Sequence, residues 1–110
     1  MNKINVLGTE YTIEYKWRHE DSALNNCDGY CDKTTKQIVV TNQENDCDLG
    51  NFALYQRKCM RHEIIHAFLF ESGLHGNWTH NRGHDESYVD WIADQYPKLK
   101  QAFVEAGGDE

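Results

Sequence analysis

The feature that most constrains this chain is a segment without proline from Leu49 to Ser72, in which Gly50 is the only helix breaker near the start. We expect Asp48 to cap the start of this helix and Gly73 to end it. An acidic side chain accepts hydrogen bonds from the free amides at a helix start, and glycine readily adopts the left-handed conformation at a helix end. The helix would be about 36 Å long at about 1.5 Å per residue. The segment therefore predicts one long central helix on which the remaining residues pack.

Two histidines, His62 and His66, lie four residues apart within this segment. On a helix this spacing places both imidazoles on one face, where they can bind the same zinc ion. Glu63 borders that face, and its carboxylate can take a proton from a metal-bound water. The H-E-x-x-H pattern has about 0.03 expected chance matches in a chain of this composition. The alternative is a pair of ordinary core histidines beside a solvated glutamate.

A catalytic zinc site normally has three protein ligands and one water. Glu86 is the predicted third ligand, because it opens a second predicted helix twenty residues after the second motif histidine. Asp90 lies one turn further on the same face, where we expect it to accept the remaining N–H of a ligating histidine. His80 and His84 are alternatives for the ligand position. The candidate donors to the tetrahedral intermediate are His80, His84 and Tyr88.

The residues before the central helix predict two antiparallel β-hairpins. Ile4 to Val6 pairs with Tyr11 to Trp17, and Gly29 to Asp32 pairs with Gln37 to Thr41. Alternation along the second strand predicts a packed face formed by Tyr11, Ile13, Tyr15 and Trp17. The most β-prone run is Ile38, Val39 and Val40. Two interpretations of this run remain open: a core strand, or a strand beside the metal that binds a peptide substrate through its backbone.

The C-terminal residues predict a helix from Glu86 to Tyr96, ended or kinked by Pro97 and resumed to about Ala106. Its expected packing stripe, at steps of three and four residues, is Val89, Ile92, Tyr96, Leu99 and Phe103. The whole chain therefore predicts a single α+β domain over residues 1–106, with residues 107–110 as a tail.

Composition narrows the classes of partner. The net charge of −7, without a basic block, makes nucleic acid and anionic membranes poor partners, so we expect a peptide or protein. No signal peptide or membrane span is apparent, so we expect a cytoplasmic protein whose four cysteines are thiols. Cys27, Cys31 and Cys47 could instead hold a second metal, although their spacing is not that of a standard zinc site. Cys59 is expected to be a small core residue.

The motif at His62, Glu63 and His66, followed by Glu86 and Asp90, resembles the gluzincin group of zinc metallopeptidases. The small size, the hairpin-rich start and the run from 61 to 68 (RHEIIHAF) are similar to the minimal peptidase domains of phages and prophages, related to the ImmA/IrrE family. This likeness covers residues 29 to 103.

The resemblance implies a small zincin-like fold, one zinc ion per chain, and the host cytoplasm as location if the protein is phage-encoded. Together with the residues themselves, it implies a zinc metalloendopeptidase that hydrolyses peptide bonds with a metal-activated water and Glu63 as general base. The alternative is a catalytically silent, zinc-stabilised module that binds a host protein. An intact general base argues against that alternative, because a purely structural site has no use for one.

Overall fold

The computed structural model describes residues 2–74 and 86–108. The strands within these ranges are β1 (Asn2–Val6), β2 (Thr9–Lys16), β3 (Gly29–Asp32) and β4 (Gln37–Thr41). The α-helices within them are α1 (Phe52–Ser72) and α2 (Glu86–Ala106). The predicted α+β class is therefore confirmed. Neither of these helices is long and apolar enough to cross a membrane.

The four strands form one mixed sheet in the order β1-β2-β4-β3. Both predicted hairpins are present, because β1 pairs antiparallel with β2 and β3 pairs antiparallel with β4. The parallel pairing of β2 with β4, from Thr12 opposite Gln37 to Lys16 opposite Thr41, was not predicted. A parallel pair between two hairpins has no local turn signal that a sequence could show.

The position of β4 decides between the two interpretations of Ile38, Val39 and Val40. β4 lies inside the sheet, with β2 on one side and β3 on the other, and all three side chains are fully buried. Its backbone donors and acceptors are therefore used within the sheet. Ile38, Val39 and Val40 therefore form a core strand, and the sheet gives no support to the expectation that they bind a substrate strand.

The core lies between α1 and one face of the sheet. Its buried members are Val6, Tyr11, Ile13, Ile38, Val40, Cys59 and Ala67. The predicted packed face of β2 ends at Ile13, since Tyr15 and Trp17 are 39% and 40% exposed. Tyr15 meets α1 through a hydrogen bond from its hydroxyl to the Met60 sulfur at 3.3 Å.

Helix α1 begins three residues later than predicted. Asn51, not Asp48, is the N-cap, and its side-chain oxygen accepts a hydrogen bond from the Leu54 amide at 3.1 Å. The amide side chain satisfies a free N–H of the first turn as an aspartate would. The predicted end is confirmed, because Gly73 has φ +79°, a conformation that glycine adopts without a steric penalty.

Helix α2 reaches the predicted end at Ala106 and is one continuous helix through Pro97. Proline has no N–H, so the carbonyl of Ala93, four residues earlier, lacks its usual partner within the helix. The Arg61 side chain donates to that carbonyl oxygen from Nε at 2.7 Å. This hydrogen bond also ties α2 to α1 one residue before the first motif histidine.

The predicted packing stripe of α2 is largely wrong. Val89 and Ala93 are buried against the rest of the protein, whereas Ile92, Tyr96 and Phe103 are 39%, 46% and 52% exposed. Apolar residues at helical spacing identify an apolar face of a helix. They do not determine whether another element of the chain packs against that face.

A polar cluster joins the end of α1 to the sheet. The Glu71 carboxylate accepts hydrogen bonds from the Tyr11 hydroxyl at 2.7 Å and from the Lys36 ammonium at 2.9 Å. These hydrogen bonds, with one from Thr9, lower the pKa of Glu71 from 4.5 to about 2. The ionised carboxylate therefore stabilises the folded state.

We expect the loss of stability in Glu71→Gln to depend on pH. Because the folded pKa is lowered, the contribution is complete above the ordinary pKa of 4.5 and decreases as the pH falls towards 2. Urea denaturation of the wild type and Glu71→Gln between pH 7 and pH 2 measures it. Glutamine cannot ionise, so a stability difference that stays constant over this range would contradict the assignment.

Candidate metal centre

Three side chains from the two helices converge on one point. His62 and His66 lie one turn apart on α1, and Glu86 belongs to the first turn of α2. Glu86 places one carboxylate oxygen 2.9 Å from His62 Nε2 and the other 2.8 Å from His66 Nε2. The two Nε2 atoms are 3.0 Å apart. Among the described residues, this is the group of three or more potential metal ligands whose donor atoms all lie within 4.8 Å of one another.

The donor set fits a zinc ion. Bonds of about 2.05 Å at tetrahedral angles separate donor atoms by about 3.3 Å. The observed separations of 2.8 to 3.0 Å are a few tenths of an ångström shorter, so small side-chain rotations would suffice to admit the ion. In the described part of the chain, two imidazoles and one carboxylate form the donor set, and a tetrahedral zinc ion held by three protein ligands has a fourth position for water or substrate.

Both ring nitrogens of His62 face carboxylates. Nε2 faces Glu86, and Nδ1 lies 3.2 Å from an oxygen of Asp90. A neutral imidazole donates a hydrogen from only one nitrogen, so Nε2 and Glu86 would repel each other unless a proton or a metal cation lay between them. With Nδ1–H donating to Asp90, the Nε2 lone pair points towards the ligand cluster, as metal binding requires.

Lys58 completes the support of His62. Its ammonium lies 2.6 Å from the same Asp90 oxygen that contacts the imidazole. The hydrogen bond from Lys58, supported by that from His62, holds the pKa of Asp90 below its usual value, so the carboxylate stays ionised as an acceptor. Lys58 lies one turn before His62 on α1. The sequence shows this spacing, but only the contact of both side chains with Asp90 reveals that Lys58 supports His62.

Glu63 is buried beside the candidate ligands but does not belong to their cluster. Its residue surface is 8% exposed, and burial raises the pKa of its carboxyl from 4.5 to about 7; His62 partly opposes this increase and Glu86 adds to it. A pKa near neutrality suits a group that must both accept and return a proton. A buried carboxyl whose pKa is strongly raised by burial is typical of functional positions.

Gly29 allows β3 to approach Glu63. A Cβ atom at Gly29 would lie 3.4 Å from the Glu63 side chain and 3.1 Å from the Val39 carbonyl oxygen. The second distance is too short for comfortable contact with a backbone atom. The close passage of β3 over the Glu63 carboxylate therefore depends on the absence of a side chain at Gly29.

A cleft of about 500 Å³ opens over the centre. Its walls include the candidate ligands Glu86, His62 and His66 from the helices and residues 29 to 31 of β3. β3 is the last strand of the sheet, and the carbonyl of Asp28 accepts the Thr41 amide at 2.9 Å. Because hydrogen-bonded pairs alternate along an antiparallel ladder, the backbone groups of Gly29 and Cys31 face the open edge. Among the described residues no strand pairs with this edge of β3, so an extended peptide could pair there.

The structure brings together five of the residues singled out from the sequence. They are His62, Glu63, His66, Glu86 and Asp90. Tyr88 does not line the cleft and is 68% exposed, so its expected role as a donor is not supported by its position. His80 and His84 lie outside the described residues. The sequence analysis missed Lys58 and Gly29. Lys58 contacts Asp90, and Gly29 lies against Glu63, and both contacts join residues that are distant in the sequence.

The four cysteines are free thiols, as expected, and Cys59 is buried in the core. Cys27, Cys31 and Cys59 line the cleft, but none belongs to the convergent ligand cluster of the described residues. Burial, aided by the negative charge of Glu63, raises the pKa of the Cys31 thiol to about 12. Cys31 therefore lines the cleft as a neutral thiol and not as a thiolate.

Comparisons of this chain with protein-family models, curated proteins and solved structures found no significant match.

Proposed function

We propose that this protein is a zinc-dependent metalloendopeptidase, in which His62, His66 and Glu86 hold one zinc ion and Glu63 is the general base. The observation that carries the proposal is the convergence of these three ligands beside a buried carboxylate that is not itself a ligand. The proposal includes a zincin-like arrangement, in which the hairpins pack on the helix that bears the motif. The resemblance of the motif to that of gluzincins supports the same proposed function.

When bound, zinc supplies a Lewis acid that lowers the pKa of water to about 7 and polarises the scissile carbonyl. Glu63 takes a proton from the attacking water onto a carboxylate oxygen and later gives it to the leaving amine. Asp90 holds the His62 ring through Nδ1, and Lys58 holds Asp90. Burial keeps bulk water away from Glu63.

The substrate we propose is a peptide or a flexible protein segment in extended conformation. The outward backbone groups of Gly29 and Cys31 would pair with its backbone, which places a scissile bond over the ligand cluster. Backbone pairing does not select a sequence, so side-chain preferences would come from the remaining cleft walls. This assigns to the edge strand β3 the binding role that the sequence had suggested for β4.

Metal analysis of three purified proteins tests the ligand set. We expect about one zinc per chain in the wild type and a loss of most of it in Glu86→Ala, because two histidines alone hold zinc weakly. Asp94→Ala is the matched control, since it removes an exposed acid from the same helix outside the cleft. Mass spectrometry of protein purified without added metal provides the measurement.

Two other results would change the proposal. A wild type without zinc, even after incubation with the metal, would contradict it. One zinc in both the wild type and Glu86→Ala would remove Glu86 from the ligand set and favour a site closed by another histidine, as in the binding-module alternative. If zinc follows the expected pattern, cleavage of an unstructured protein such as casein, with and without a chelator, tests hydrolysis itself.

A further inference from the structure

Helix α2 is longer than the surface it packs on. It runs antiparallel to α1, since Asp90 contacts His62 and Lys58, and Pro97 shares a groove with Asn51 at the start of α1. Residues 98–106 therefore extend past the first residue of α1 by about 14 Å. Every residue from 100 to 106 is exposed. Helical segments in proteins gain most of their stability from packing an apolar face, and this one packs on none of the described residues.

An apolar stripe runs along α2 beside the face that contacts α1. Its members are Tyr88, Ile92, Tyr96, Leu99 and Phe103. At about 100° per residue they fall within about 80° of one another around the helix axis. Tyr88 is 68% exposed, and Ile92, Tyr96 and Phe103 are 39% to 52% exposed. The stripe contains no charged residue and continues onto the extension beyond α1.

We propose that this stripe is the interface of a homodimer, in which α2 packs antiparallel against α2 of a second copy. The order of residue types along the stripe is nearly the same from either end: aromatic, aliphatic, aromatic, aliphatic, aromatic. A two-fold axis close to Tyr96 places Tyr88 opposite Phe103 of the second copy and Ile92 opposite its Leu99. A two-fold interface requires a surface that matches itself in this way, whereas an unrelated partner imposes no such symmetry.

The exposed area is sufficient for a weak dimer. A large apolar side chain offers about 200 Å², so the observed exposures leave about 100 Å² on each. The stripe with the flanking Trp91, which is 57% exposed, therefore presents about 500 Å². Two copies would bury up to about 1,000 Å², the lower end for specific interfaces, which is typical of weak association.

The connection between α1 and α2 has too few residues to reach the far end of the stripe at Phe103. Its ends are attached to Leu74 and Glu86, and Phe103 lies about 25 Å along α2 from Glu86. A path out to Phe103 and back needs at least about 50 Å, but twelve peptide links span at most about 42 Å. A second copy can reach the whole stripe, including its far end.

Sedimentation velocity between 1 and 300 µM tests this dimer, whether or not the proposed peptidase function is correct. We expect the wild type to dimerise, and both Leu99→Glu and Phe103→Glu to weaken association at least tenfold. Gln101→Glu is the control, because it adds the same charge to the same extension on the side of the helix opposite the stripe. A wild type that stays monomeric, or a dimer that both stripe substitutions leave intact, would overturn the proposal. Circular dichroism checks that the variants remain helical.

The antiparallel register has its own test. Ile92→Lys and Leu99→Glu chains should each be monomeric alone, but a mixture should form a heterodimer in which the introduced lysine of one copy faces the introduced glutamate of the other. A wild-type dimer without any heterodimer from the mixture would overturn the antiparallel pairing. Zinc content of the same variants should equal that of the wild type, since none of these residues lies in the cleft.

Discussion

Replacing Glu63 with glutamine is expected to reduce peptide hydrolysis by at least about 100-fold and to leave the zinc content unchanged. Glutamine has nearly the same shape but cannot accept and return the proton. Zinc should remain because Glu63 lies outside the cluster of His62, His66 and Glu86. Folding should be preserved as well, since the substitution removes a carboxyl group whose ionised form burial disfavours.

Initial rates of cleavage, with zinc measured on the same samples, check this prediction. Glu71→Gln is the matched control: it makes the same substitution two turns later on α1, in a residue that does not line the cleft. At neutral pH it should lower stability but keep full activity per folded molecule. An active Glu63→Gln protein that contains zinc would exclude Glu63 as the general base.

Truncating Ile38 to alanine is expected to lower the free energy of unfolding by about 2 to 5 kcal/mol. Its side chain is fully buried between the sheet and α1, where the lost methyl groups would leave a cavity. Ile38→Val removes one methylene and should cost about 0.5 to 1.5 kcal/mol. Since small domains have about 5 to 15 kcal/mol in total, the alanine variant would lose a large part of its stability.

Urea denaturation measures both Ile38 variants, and the valine variant also tests the role of β4. If β4 is only a core strand, the catalytic efficiency of folded Ile38→Val should match that of the wild type. A clear increase in KM, with zinc content and stability little changed, would mean that β4 contacts the substrate after all.

The fold was predictable where its causes are local. The strand bounds at Gly29–Asp32 and Gln37–Thr41 follow from β-prone runs around a short turn, and both were predicted to the residue. The end of α1 at Gly73 was equally clear. Its start was misplaced because Asp48 and Asn51 are both good caps, and only the preceding chain decides which one is used.

The long-range arrangement was not predictable from these signals. The hairpins meet through a parallel β2–β4 pair, which encloses β4 and leaves β3 at the edge of the sheet. Pro97 ought to disturb α2, but Arg61 satisfies the carbonyl that proline leaves without its helical partner. Each of these outcomes depends on residues that are distant in the chain.

The same division holds for the candidate site. The sequence by itself determined the spacing of His62, Glu63 and His66, because 3.6 residues per turn fixes which side chains share a face of a helix. Only the tertiary structure decided that Glu86 and Asp90 reach that face, that Lys58 holds Asp90, and that β3 provides the open edge of the cleft. Helical periodicity is a property of a single segment, whereas contacts between α1, α2 and β3 arise from the packing of the whole chain.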